Sequence, residues 1–339
     1  MEKNKQKRVL YIGGVHHEGS SFSRYESLIK TCHEVSLLDT RPTHSIFGRL
    51  KSKFLRRLGL NWDKEIIQEV ERRNPNIIWI DKPIMVSSKA IIEIKKKCSN
   101  AIIVGHITDD INKVKEYSPE IEKVLRQFDI VFSPNQLNIH EYTKINFIYN
   151  EIGYDDEMYR PLKVSSANAK THLSFVGHYE PSYEIDLLKI SDCIENTEFS
   201  LRIYGTGWWR AKIIKLRQNV MIRTGWQTLE NVKNIYTNSV AGIGLYSELN
   251  RNVTSGRVFE IPALRTPLIT KNNPIIHRYI SGNYIGMDLC QNPVVFVETL
   301  RNNAYLEIMA LNAIESMSTN KCTWKDRINE CLNHIEKVI

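Results

Sequence analysis

The stretch TSGRVFEIPALRTPLIT, residues 254–270, sets Arg257 and Glu260 three residues apart between two apolar runs. Read as strand, loop, helix, strand, it starts a helix near Gly256 with Thr254 or Ser255 as the cap. The unpaired N–H groups of such a first turn, with the positive end of the helix dipole, favour a phosphate. Arg257 in that turn can clamp a diphosphate through two parallel hydrogen bonds. Glu260, one turn on, can accept from vicinal hydroxyls such as those of a ribose. The same two residues also suit an ordinary i, i+3 surface ion pair, and the residues alone leave both readings open. Pro262 is expected to kink or shorten the helix.

Other groups with chemical potential sit where apolar runs end. Gly13 and Gly14 close VLYIGG, as a backbone that approaches a ligand would, although a plain tight turn uses the same residues. His16 and His17 follow in the loop HHEGSS; with Glu18 they are metal-ligand types, but neighbours on one loop rarely converge on one ion, so a loop lining a binding site is the milder reading. His106 ends AIIVGHI, with Asp109 and Asp110 behind it. Histidine and aspartate can act as bases, while the structural alternatives are a core histidine and a helix cap.

Such groups need a scaffold, and its pattern is regular. Apolar, β-rich runs recur with helix-length segments between them at residues 9–14, 34–39, 76–81, 101–107, 129–135 and 146–152. After a polar stretch at 159–172 that suits a linker, the alternation restarts at 173–178, 199–205, 220–226, 239–246, 266–270 and 283–288. This is the pattern of parallel sheets covered by helices. It predicts an α/β chain of two tandem Rossmann-like domains, residues 1–160 and 161–339, with a ligand-binding cleft at the carboxyl ends of the strands. From Asn292 onward apolar residues fall at helical spacing, which predicts a helical tail whose last helix packs back on the N-terminal domain.

Composition narrows the class. The 339 residues are 42% apolar and 25% charged, as in a globular protein. No apolar run reaches the roughly 18 residues of a membrane span, and VLYI near the start is too short for a secretory signal; a cytoplasmic protein is expected. Six scattered cysteines without a CxxC pair indicate neither a zinc site nor a disulfide framework. The formal charge is +8, and residues 1–60 hold twelve Lys/Arg against five Asp/Glu, a local +7.

Five segments, in order, resemble those of the CgeB-like (spore-maturation) glycosyltransferases, relatives of the retaining glycosyltransferase family 4 with the GT-B fold. They are VGHITDD (104–110), NEIGYDDEMYRPL (150–162), LSFVGHYEPSYEIDLLKI (173–190), LRIYGTGWW (201–209) and GRVFEIPALRTPLIT (256–270). The resemblance implies a GT-B glycosyltransferase that takes a nucleotide-diphosphate sugar, UDP-sugar favoured, in the C-terminal domain, with no metal or other cofactor required. It places Gly177, His178, Tyr204, Gly205, Arg257 and Glu260 at the donor, with Arg257 and the Gly177 loop on the diphosphate and Glu260 on the ribose. It puts His106 and Asp109 near the transferred sugar and Gly13, Gly14, His16 and His17 on the acceptor side. Two positions depart from the pattern: Asn252 stands where many family-4 enzymes have a glutamate, and Arg265 replaces a glycine.

The implied acceptor is a glycan or lipid-linked precursor of cell-envelope polysaccharide. SIFGRLKSKFLRRLGL (45–60) fits that expectation, since as a helix it has an apolar stripe and a basic face suited to anionic lipid, making the enzyme peripheral on the inner membrane face. Two other readings remain: an inactive GT-B-like binding protein, and a basic nucleic-acid-binding protein. The basic stretch reads as one amphipathic helix, with no aromatic-interleaved platform and no recognition-helix motif, so no nucleic-acid partner is expected.

Overall fold

The computed structural model describes residues 7–40, 62–116, 118–162, 170–251 and 253–338. The basic stretch 45–60, Asn252 and part of the polar segment, 163–169, lie outside the described residues. The chain divides into two compact units, Met1–Ile152 with Trp324–Ile339, and Gly153–Thr323.

The first unit is built on β1 (Arg8–Gly13), β2 (Glu34–Asp39), β3 (Ile77–Asp81), β4 (Ile102–His106), β5 (Ile130–Ser133) and β6 (Phe147–Tyr149). All pair in parallel, in the order β2-β1-β3-β4-β5-β6. Between them run α1 (Ser20–Thr31), α2 (Asp63–Arg73), α3 (Ser88–Lys97), the short α4 (Ile111–Val114) and α5 (Ile121–Leu125), and α6 (Gln136–Glu141). Because strand side chains alternate, the sheet has a core on each face. Leu10, Ile12, Ile78, Ile80 and Ile103 pack with α2 and α3. Val9, Tyr11, Ile77, Trp79 and Val104 pack with Leu28 of α1 and with the end of the chain.

The second unit repeats the plan with β7 (His172–Val176), β8 (Ser200–Gly205), β9 (Val220–Thr224), β10 (Ala241–Ile243), β11 (Leu268–Thr270) and β12 (Ile285–Gly286), ordered β12-β11-β10-β7-β8-β9. Its helices are α7 (Pro181–Cys193), α8 (Leu229–Thr237), α9 (Gly256–Ala263), α10 (Pro274–Ile280), α11 (Pro293–Arg301) and α12 (Asn303–Thr319). Local sequence starts them: Thr228, Asn273, Asn292 and Asn302 each cap a helix with the side chain, and Pro274 and Pro293 occupy first-turn positions where no N–H is needed. All twelve apolar runs are strands.

The last helix, α13 (Trp324–Glu336), belongs to the first unit, where Ile328, Cys331, Leu332 and Ile335 are each at most 1% exposed in the core beside α1. Burying four such side chains contributes roughly 1.5–3 kcal/mol apiece for the aliphatic ones. Among the described residues no helix is long and apolar enough to cross a membrane.

Candidate functional site

In the second unit the carboxyl ends of β7 and β8 are interlocked through glycine. Gly177 N–H donates to the Tyr204 carbonyl at 3.0 Å, and the Gly177 carbonyl accepts from Trp208 Nε1 at 2.9 Å. Gly205 has φ +132°, and a Cβ there would collide with the Gly177 carbonyl oxygen; only glycine fits. His178, exposed, sits beside the strand ends with its Nδ1 2.8 Å from Thr206 Oγ1. Tyr204 is different from the expectation of a ligand contact: its ring is 7% exposed, in the core with Val176 and Tyr236, so only its backbone takes part in the strand-end geometry.

Helix α9 begins at Gly256. Ser255 stands at the cap position, but its hydroxyl donates to the Leu245 carbonyl at 2.9 Å instead of accepting from the helix, so the first turn has no side-chain cap from it. Its competitor for the hydroxyl, a carbonyl on the preceding segment, wins. Pro262 lies inside the helix, which ends one residue later, as a missing donor and a crowded carbonyl require. Arg265 follows at φ +56°, the left-handed conformation that the glycine of the related pattern would adopt without strain.

Arg257 and Glu260 meet on this helix. Nη1 of Arg257 lies 2.5 Å from Glu260 Oε2, the side chains 27% and 18% exposed. The carboxylate folds back over Gly256, where a Cβ would stand 2.9 Å from Oε1. The Tyr159 hydroxyl is 3.4 Å from Arg257 Nη1, and the guanidinium lies over the Tyr236 ring, 5.9 Å from its centroid. Tyr236 in turn accepts from Val176 N–H, at the end of β7, at 3.2 Å. One aromatic residue thus connects the arginine to the strand that carries Gly177. Burial opposes the charge of Arg257, but Glu260 and the two tyrosines outweigh it and raise its pKa. Burial pushes the Tyr236 hydroxyl up to about 12, so it remains protonated. Neither tyrosine was singled out in the sequence; for Tyr159 the available signal was the crossover segment NEIGYDDEMYRPL, which also holds Tyr154, while Tyr236 had none.

In the first unit the predicted residues are more dispersed. Gly13 is buried and a Cβ there would lie 3.0 Å from Asp81 Cβ, so the glycine makes room for that aspartate. Gly14, His16 and His17 are exposed on the following loop, with His17 packed against Phe22 at 4.8 Å between ring centroids. Asp110 is 2% exposed and caps α4, accepting from Asn112 N–H at 2.9 Å, the structural alternative for this pair of aspartates. Asp109 keeps a side chain 27% exposed, 3.4 Å from Lys82 Nζ.

His106 does not present itself to solvent. It is 1% exposed, stacked on Trp79, edge-on to Trp324, and its Nδ1 is 3.6 Å from Asp81. Burial, then the nearby Arg24 charge, lower its pKa to about 4, so it is neutral near pH 7. This environment is that of a core histidine, because the strand end it occupies is roofed by α13. What sequence reasoning missed is the group beneath it. Asp81 receives Arg24 Nη2 at 2.8 and 3.0 Å and the Tyr11 hydroxyl at 2.7 Å, and the Arg24 guanidinium lies 4.7 Å from the Trp324 ring centroid. No short motif marks a pair 57 residues apart.

No protein-family model matches the sequence, and no curated protein matches it either. Among solved structures the chain is similar to an α-glucosyltransferase in complex with UDP and a 13-mer DNA containing an A:G mismatch, at 14% identity over 92% of this chain and 95% of that one, TM-score 0.63. It is similar to trehalose-6-phosphate synthase at 8% identity, 98% and 100% coverage, TM-score 0.68, and to HepE from Anabaena in complex with UDP and glucose at 10% identity, 98% and 100% coverage, TM-score 0.62. The chain has the GT-B fold of these glycosyltransferases.

Proposed function

We propose that the protein is a glycosyltransferase that binds a nucleotide-diphosphate sugar, with UDP as the nucleotide, in its second unit. The observation that carries this is the Arg257–Glu260 pair at the side-chain-uncapped start of α9, coupled through Tyr236 to the strand bearing Gly177. In the free protein the two charges neutralise each other. A diphosphate gives Arg257 and the α9 amides an anion, and a ribose gives Glu260 two hydroxyl donors, so the bound nucleotide replaces one internal contact with several. The Gly177 loop lies beside the diphosphate. UDP in the α-glucosyltransferase and HepE complexes supports the choice of nucleotide, and the five segments resembling CgeB-like enzymes support the same reading.

Transfer is to a glycan or lipid-linked acceptor held by the first unit, in cell-envelope polysaccharide synthesis, at the cytoplasmic face of the membrane and without a metal. Asp109, near Lys82, is the partly exposed candidate for proton transfer; His106 serves it by shaping the β4 end. Gly14, His16 and His17 form the acceptor-side loop. A thermal-shift screen against UDP, GDP, dTDP, ADP, CMP and their sugar conjugates tests the donor assignment. UDP is expected to raise the melting temperature and Arg257→Ala to abolish the rise; no shift by any nucleotide at millimolar concentration would leave an inactive binding protein as the better reading.

A further inference from the structure

Between Glu198 and Glu230 the chain has Arg202, Arg210, Lys212, Lys215, Arg217 and Arg223 and no aspartate or glutamate. The same segment exposes Trp209 by 77%, Ile213 by 56% and Leu216 by 74%. The local fold explains how a well-packed unit tolerates them. Trp208, Ala211 and Ile214, spaced by three, are buried against the core that holds Phe175, Leu201 and Ile203. Two single turns of 3-10 helix, Trp208–Arg210 and Ile214–Leu216, hold that spacing, and both pack on the edge strand β9. Three residues per turn then direct the intervening positions outward. Trp209, Lys212, Ile213, Lys215 and Leu216 are the result, all exposed.

Some cations here have internal roles: Arg217 lies 2.5 Å from Asp192, and Arg210 stands over the Tyr179 ring at 5.3 Å. Lys212 and Lys215 make no ion pair among the described residues. Met221 and Arg223 alternate along β9 with Val220 and Ile222, which pack on the core, and so belong to the other face of the strand.

Lysines and a tryptophan alone would suit phosphates and bases. Ile213 and Leu216 would gain nothing from a base or a phosphate, whereas a bilayer interface offers hydrocarbon to the aliphatic tips, a headgroup layer to Trp209 and anionic phosphates to the lysines. We propose that the face formed by Trp209, Lys212, Ile213, Lys215 and Leu216 docks the second unit on an anionic lipid surface. The face lies in a different part of the sequence from the basic stretch 45–60, and the inference does not depend on the nucleotide assignment.

Co-sedimentation of the full chain with vesicles of phosphatidylcholine, with and without one-third phosphatidylglycerol, tests it at physiological salt. Binding to the anionic vesicles is expected. Ile213→Glu with Leu216→Glu should weaken it roughly tenfold or more, and Lys212→Ala or Lys215→Ala about fivefold each. These side chains are exposed, and an unchanged melting temperature confirms that each variant folds. Wild-type protein that ignores anionic vesicles overturns the proposal, as does an apolar double variant that binds them like wild type, which would place the lipid contact elsewhere. Preferential binding to duplex or single-stranded DNA, lost in the lysine variants and kept in the apolar one, would make the face a nucleic-acid surface and also overturn it.

Discussion

Each unit sets an arginine against a carboxylate near the carboxyl ends of its strands, and the two pairs are built in opposite ways. Arg24 and Asp81 have side chains 0% and 1% exposed, with Tyr11 donating to the carboxylate and Trp324 over the guanidinium. Burial alone would raise the Asp81 pKa, but the Arg24 charge holds it well below the usual carboxylate range. Arg257 and Glu260 sit one helical turn apart, 27% and 18% exposed. The first pair is enclosed by protein, and its other polar partners, Tyr11 and Ser21, belong to the same fold, so no ligand can reach its charges. The second retains an approach for a ligand. Both are an arginine against a carboxylate; enclosure separates a structural pair from one that can exchange partners.

Removing one partner should separate them most clearly. Asp81→Ala leaves Arg24 buried and uncompensated, and is expected to destabilise the first unit by about 3–5 kcal/mol, read from urea unfolding followed by far-UV circular dichroism. A cost below about 1 kcal/mol would mean that water reaches Arg24 after all. Arg257→Ala should change stability by no more than about 1 kcal/mol yet lower glycosyl transfer by about a hundredfold to a thousandfold, as loss of a group stabilising developing charge does. Steady-state rates beside a melting curve decide; a large loss of stability with rate retained would invert the comparison.

The third test uses acid. His106 has a folded pKa of about 4 against 6.5 for the free side chain, so the unfolded chain takes up the proton first as pH falls. Its contribution is therefore complete above about pH 6.5 and is lost between that pH and about 4, a span on the order of 3 kcal/mol. Asp81, whose pKa is depressed, adds its own loss only at lower pH. His106→Phe should flatten the dependence of melting temperature between pH 6.5 and 4.5 while leaving a residual slope from His172, also held near 4 by burial in the second unit. An unaltered profile would show that His106 is hydrated in solution. The smallest effect concerns the end of α9: Arg265→Gly removes a left-handed non-glycine conformation and should stabilise the second unit by about 0.5–1 kcal/mol. Loss of stability instead would mean that the Arg265 side chain matters more than its backbone.

The sheets were legible because strands buried on both faces of a parallel sheet appear as unbroken apolar runs between helix-length segments. Arg257 and Glu260 were legible as a pair because one helical turn places i and i+3 together. Arg24 and Asp81 were not, since only the folded sheet brings α1 over the end of β3. The face at 209–216 was hidden for another reason. Net charge assigned nearly all the excess to residues 1–60, and acidic residues elsewhere offset the second basic run in that sum. Nor does the pair Trp208, Trp209 reveal which ring is buried: Trp208 is 1% exposed and Trp209 77%. The Ser255 cap failed for a similar reason, because the competing Leu245 carbonyl comes from a neighbouring segment.

The return of α13 to the first unit sets an order on synthesis. Residues 153–323, the whole second unit, are made after Ile152 and before Trp324. At about 5–20 residues per second a ribosome spends roughly 10–30 s on them. During that interval the nascent chain holds Arg24 and Asp81 without the indole that covers them. The second unit, continuous in sequence, can fold on the ribosome first. The first unit is completed only by α13, made after the whole second unit: a product truncated before Trp324 can present a folded second unit while the first unit stays open to proteases and chaperones.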